Sequence, residues 1–216
     1  MNIVISIYRG KLRGRYVSYS VPYSAGMTVL DALLFVYRQK DSTLAFRYEC
    51  RQAICGTCGV MLNGVPVLSC STQLNPKQRK QVIGPLANFP IEKDLIVNIK
   101  PVLDKYLTVR PFLEKIQNVR LNKAEANKSK PFRKCIECGC CIAGSKTLPK
   151  EKDILDPMSL VKIARYVTDP RDGINRKRIA RDGGVGKYSS SEAMLLTEIC
   201  PRGVPIDQAI QILKLR

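Results

Sequence analysis

The chain has 216 residues, 45% hydrophobic and 25% charged, a globular balance long enough to bury the core of one large domain or two small ones. Thirty-six Lys and Arg against 18 Asp and Glu leave a net charge of +18, which points to acidic partners without choosing among nucleic acid, lipid headgroups and protein. The absence of histidine excludes imidazole zinc sites, His-ligated haem and every Ser-His or Cys-His catalytic arrangement.

Residues 2–9 and 16–23 read as two strands joined by the turn-like Gly10-Lys11-Leu12-Arg13-Gly14. No leader pattern precedes them, and the longest apolar run, 32–37, is far too short to span a bilayer, so a cytoplasmic chain is expected. A helix follows, opened by Thr28 with Asp31 three residues on, its apolar positions Val29, Leu30, Leu33, Leu34, Val36 and Tyr37 recurring with the helical period. A cysteine-rich loop at 50–58 precedes short strands at 60–62 and 65–68 around the Asn63-Gly64 turn, and a last strand is expected at 95–99. This order suits a small mixed sheet packed on one helix.

Beyond Pro101 the pattern turns helical, with a segment at 106–119 interrupted near Pro111 and a basic, solvated connection at 122–134. Asp156 and Pro157 open a helix with Leu160, Val161, Ile163, Ala164 and Val167 on one face. Ser189 with Glu192 opens another, and 206–215 supplies a last amphipathic one. The expected division is a mainly β domain at 1–104 and a mainly helical domain at 105–216.

Nine cysteines in a reducing compartment read as metal ligands rather than disulfides. Cys50, Cys55, Cys58 and Cys70 form C-x4-C-x2-C-x11-C, the plant-type ferredoxin spacing of a 2Fe-2S cluster, with Gly56 and Gly59 letting the backbone curl around sulfur. Zinc is the alternative, although zinc sites favour two separated C-x2-C knuckles. Cys135, Cys138 and Cys141 give C-x2-C-x2-C, and Cys200-Pro201 is the only Cys-Pro dipeptide. In two-cluster ferredoxins the last cysteine of one run serves the other cluster. Counting back from Cys200 finds Leu196, Ala193 and Ser190, and three residues beyond Cys141 stands Ser145. One 4Fe-4S site held by Cys135, Cys138, Cys141 and Cys200 is therefore expected, with structural zinc again the alternative. Cys140 is left over as a buried thiol beside that site.

The stretch Phe46-Arg47-Tyr48-Glu49-Cys50 through Cys70, the run Cys135-Ile136-Glu137-Cys138-Gly139-Cys140-Cys141, residues 160–172 and the ending Cys200-Pro201-Arg202-Gly203 together resemble the iron-sulfur subunit of succinate dehydrogenase and fumarate reductase. The resemblance covers nearly the whole chain. It implies an α+β protein, a plant-type ferredoxin-like β-grasp domain followed by a helical domain similar to bacterial ferredoxin. It also implies an electron-transfer subunit between the FAD of a flavoprotein subunit and a further redox or membrane-anchor subunit, peripheral on the inner face of the cytoplasmic membrane through those partners.

Most members of the family carry a third, 3Fe-4S centre whose ligands fall here at Ser145, Ser190 and Leu196, so no 3Fe-4S cluster is expected. The family's quinone pocket uses a tryptophan and a histidine, and this chain has neither. One alternative is the same two-cluster wire serving another flavin dehydrogenase. Another, motivated by charge, is a nucleic-acid-binding iron-sulfur protein, but 6% aromatics, no tryptophan and no RNA-binding motif leave nucleic acid out of the expected partners.

Overall fold

The computed structural model describes residues 1–78, 80–151 and 153–215. They divide into two compact units, one of Met1–Asn98 with Cys138–Ala143, the other of Ile99–Glu137 with Gly144–Arg216.

In the first unit, β1 (Asn2–Arg9) pairs antiparallel with β2 (Arg15–Pro22), setting Ile3 opposite Val21 and Ile7 opposite Val17. Alternation puts Ile3, Ile5 and Ile7 on the core side, each almost fully buried. Gly10, at φ 108°, opens the turn. Asp94 locks the hairpin end, accepting from the Gly10 and Ala45 amides and from Arg9.

The helix α1 (Val29–Gln39) begins with a complete capping box between Thr28 and Asp31. It buries Val29, Ala32, Leu33 and Val36 in one cluster with Ile5, Ile7, Val60, Leu74 and Ile83. After it come β3 (Gly59–Leu62), β4 (Val65–Leu68) and β5 (Lys80–Gly84). The sheet order is β2-β1-β5-β3-β4, with β5 parallel to β1 and antiparallel to β3, which is the β-grasp arrangement. The sequence reading does not find β5, the strand at the centre. The expected strand at 95–99 shrinks to β7 (Ile96–Val97), paired with β6 (Ile91–Lys93) in a separate ribbon.

The second unit opens with α2 (Lys100–Thr108) rather than at Tyr106. Pro101 sits in its first turn, where a missing amide hydrogen costs nothing, and Arg110 at φ 53° before Pro111 ends it, so 110–121 carries no regular structure. The expected connection at 122–134 contains α3 (Lys123–Ser129), opened by a capping box of Asn122 and Glu125. A short 3-10 turn, Phe132–Lys134, and α4 (Cys140–Gly144) follow.

The centre of this unit is α5 (Pro157–Val167), capped by Asp156 and buried along most of its length. Against it pack α6 (Arg176–Asp182) and α8 (Ile206–Lys214), with α7 (Ser190–Glu198) on α8. Arg176 has no exposed side-chain surface. It pairs with Asp172 and donates to the carbonyls of Val109, Arg110 and Phe112, fixing the irregular segment after α2.

Candidate metal centres

The loop that enters β3 bends three times through the left-handed region, at Arg51, Ala53 and Gly56. Such bends turn successive amides inward, making a concave nest for an anionic group. The amides of Gln52, Ile54 and Cys55 lie 3.4, 3.5 and 3.4 Å from the Cys50 sulfur. These three amides, with the Cys55 thiol, lower the Cys50 pKa to about 6.

Cys70 arrives just beyond β4. Burial raises its pKa, partly offset by the Ala53 amide, and its thiol also meets Cys58 and feels Cys50. The segment around Cys70 is held by α1, whose first-turn amides at Val29 and Leu30 donate to the carbonyls of Thr72 and Ser69. The Ser69 amide in turn bonds the Cys58 carbonyl at 3.0 Å. The structure therefore brings Cys50, Cys55, Cys58 and Cys70 together. Four thiols under inward-pointing amides fit an anionic iron-sulfur cluster.

The second cysteine run enters the first unit at Cys138. Its segment packs where glycine leaves room: a Cβ on Gly59 would stand 3.2 Å from the Cys138 carbonyl oxygen, and one on Gly139 would stand 2.8 Å from the Phe89 ring. Asn88 donates to the Ile142 carbonyl and secures the far end. Cys140 is fully buried. Its thiol, against the opposing effect of burial, and then its amide bond Cys138 and lower the Cys138 pKa to about 7. Cys141 is half-buried in α4.

In the second unit, Cys135 follows the 3-10 turn, and Cys200 follows α7 and accepts the Val204 amide at 3.4 Å. A 2Fe-2S iron-sulfur cluster binding domain model matches residues 4–104. The fumarate reductase iron-sulfur subunit of Haemophilus influenzae is 31% identical over 89% of this chain and 82% of its own. The chain belongs to the fumarate reductase iron-sulfur subunit family.

The subunit of that name from Mycobacterium tuberculosis is 32% identical over 98% of this chain and 90% of its own. A chain of the Mycobacterium smegmatis Sdh1 complex in the apo form superposes with a TM-score of 0.88 at 24% identity, covering 99% of this chain and 94% of that one, and so shares the fold. This chain is accordingly an iron-sulfur, electron-transfer subunit of an oxidoreductase of the fumarate reductase and succinate dehydrogenase type. Among its described residues no helix is long and apolar enough to cross a membrane.

Two groups in this iron-sulfur subunit escape a sequence reading. Glu137, between Cys135 and Cys138, accepts from the Tyr106 hydroxyl at 2.7 Å and Lys162 at 2.8 Å. Burial works against its ionisation, but those two partners outweigh it and its pKa is lowered. Lys162 is the charged residue among the buried positions of α5, and that mismatch is the signal that could have exposed it. Glu192, expected as a cap residue, also accepts from the Ser145 and Thr147 hydroxyls and from the amides of Lys146 and Thr147.

Proposed function

We propose that the subunit relays electrons between the FAD of a flavoprotein subunit and a further redox or membrane-anchor subunit. In this reading residues 1–104 carry a 2Fe-2S cluster on Cys50, Cys55, Cys58 and Cys70, and residues 105–216 supply the domain of a 4Fe-4S cluster on Cys135, Cys138, Cys141 and Cys200. When bound, such clusters supply one-electron transfer at thiolate-tuned potentials. The chain's own contribution is to present thiolates and aim amides at their sulfurs.

The observation that carries the reading is the tight seat of Cys138 on Gly59, the residue after Cys58. It brings the backbone of the second cysteine run against the end of the first cysteine loop. Gly59 has no side chain to hold the two apart.

No 3Fe-4S cluster belongs to this reading. Of the three residues at that centre's positions, the Ser145 hydroxyl is engaged with Glu192 and Leu196 is a fully buried hydrocarbon without a donor atom. Ser190 is the exposed first residue of α7. The expected partner set is a flavoprotein and an anchor or redox subunit, with no nucleic acid, and the expected location is the cytoplasm or the inner membrane face through those partners.

Anaerobic native purification tests this. The expected result is a co-purifying FAD-containing subunit, succinate-dependent dye reduction, and about six iron atoms per chain, two plus four. A different flavoprotein without succinate activity would overturn the substrate class, and about nine iron atoms would overturn the two-cluster count.

A further inference from the structure

The helical unit contains a cavity of about 190 Å³ that the electron-transfer role does not use. Its volume is that of about six water molecules. The guanidinium side chains of Arg133, Arg165 and Arg171 line it together with Leu113, Leu121 and Tyr166.

The two carboxylates at its wall are already engaged. Asp169 is held by Arg171 through two parallel bonds of 2.9 and 2.7 Å, and Glu125 accepts the Asn122 amide in the capping box of α3. Arg133 donates to the Ala126 carbonyl at 2.9 Å, and Arg165 lies 5.4 Å from the centre of the Tyr166 ring. Neither forms an ion pair among the described residues. Each guanidinium has five N–H donors in a planar fork that matches a carboxylate or phosphate. The cavity thus presents two cations outside direct ion pairs, Arg133 in the field of Asp169 and Arg165 in that of Glu137, beside two leucines.

We propose that this cavity binds a small organic carboxylate, with its charged end between Arg133 and Arg165 and its carbon chain against Leu113 and Leu121. The wall decides between anions. Inorganic phosphate satisfies the guanidinium forks but leaves the leucines wet, whereas a short aliphatic acid satisfies both.

Calorimetric titration of the full-length, cluster-loaded chain with butyrate, and separately with inorganic phosphate, at constant physiological ionic strength tests the site. Butyrate is expected to saturate one site, with affinity falling about tenfold in Arg165→Gln and in Arg133→Gln. Lys93→Gln, an exposed charge removed elsewhere, is expected to leave it unchanged, which separates the site from the general +18 field. Arg133 is on an exposed turn, so Arg133→Gln carries the test should Arg165→Gln fail to fold. Absence of saturable binding, or affinity unmoved by the arginine variants, overturns the site. Phosphate binding as tightly as butyrate overturns the carboxylate assignment.

Discussion

The two cysteine-bearing loops bend alike and are supported differently. The 50–58 loop turns at Arg51, Ala53 and Gly56, and the 135–141 run turns at Glu137 and Gly139, all at positive φ. In the first loop the support is local: three amides within five residues of Cys50 converge on its sulfur. In the second, local bonds from the Cys140 thiol and amide reach Cys138, and Glu137 is braced by Tyr106 and Lys162, 31 and 25 residues away. A loop held by its own backbone tolerates side-chain changes elsewhere, whereas a loop braced by distant side chains inherits the stability of the elements that carry them.

The largest expected effect separates the two loops outright. Cys58→Ser is expected to abolish the 2Fe-2S signal and leave about four iron atoms, and Cys200→Ser to abolish the 4Fe-4S signal and leave about two. Electron paramagnetic resonance with iron quantification reads both. Loss of the 2Fe-2S signal in Cys200→Ser would break the proposed ligand pairing.

Next in size is Arg176→Met. It leaves the Asp172 carboxylate, 2% exposed, with the Glu114 amide but no cation, and removes the donor from the carbonyls of Val109, Arg110 and Phe112, at a cost of about 3–5 kcal/mol. Urea unfolding followed by far-ultraviolet circular dichroism should show the helical transition moving to lower denaturant while the visible 2Fe-2S signal persists. Equal movement of both signals would mean that local backbone support does not protect the first loop.

Lys162→Met is smaller and aimed at the brace. Glu137 is 40% exposed and can be rehydrated, so the loss is about 1–2 kcal/mol rather than that of a fully buried pair. The 4Fe-4S signal should decay at lower temperature than in the parent chain, and the 2Fe-2S signal should not. Unchanged decay of both would remove the brace from the account.

What the sequence reveals follows the same division between local and distant. The Thr28 and Asp31 box, the Asn63-Gly64 turn, the Asp156 and Ser189 caps and the runs Cys50 to Cys58 and Cys135 to Cys141 are each written within a few residues, and the structure has each turn and cap where its residues indicate. The central strand β5 is written as Lys80-Gln81-Val82-Ile83-Gly84, too polar to read as interior, because Gln81 is buried by bonding the amide and carbonyl of Asn75. Composition also concealed α3, whose lysines read as a solvated connection although Asn122 and Glu125 form a capping box. Nothing near 110–121 announces its fixed path, since the side chain that fixes it, Arg176, lies more than 60 residues on. In the candidate site the convergence of Cys50, Cys55, Cys58 and Cys70 was legible, and Tyr106, Lys162 and the Glu192 knot were not.

The smallest expected effect concerns that knot. Burial raises the Glu192 pKa, but the hydroxyls of Thr147 and Ser145 and the amides of Thr147 and Lys146 outweigh it, leaving a carboxyl more acidic than its ordinary value of 4.5. A folded pKa below the unfolded one means that the unfolded chain binds the proton more readily. The stabilisation is therefore complete above about pH 4.5 and is lost as pH falls through the folded value. Glu192→Gln removes the charge but keeps one acceptor, and should cost about 1 kcal/mol at pH 7. The cost should shrink as pH drops below 4.5, where the unfolded parent chain begins to take up the proton, and should reach its low-pH limit once the folded carboxyl is protonated as well. Urea midpoints of parent and variant at pH 7 and pH 4 read the difference, and a gap that stays constant or widens at pH 4 would show that Glu192 holds residues 145–147 by shape rather than by charge.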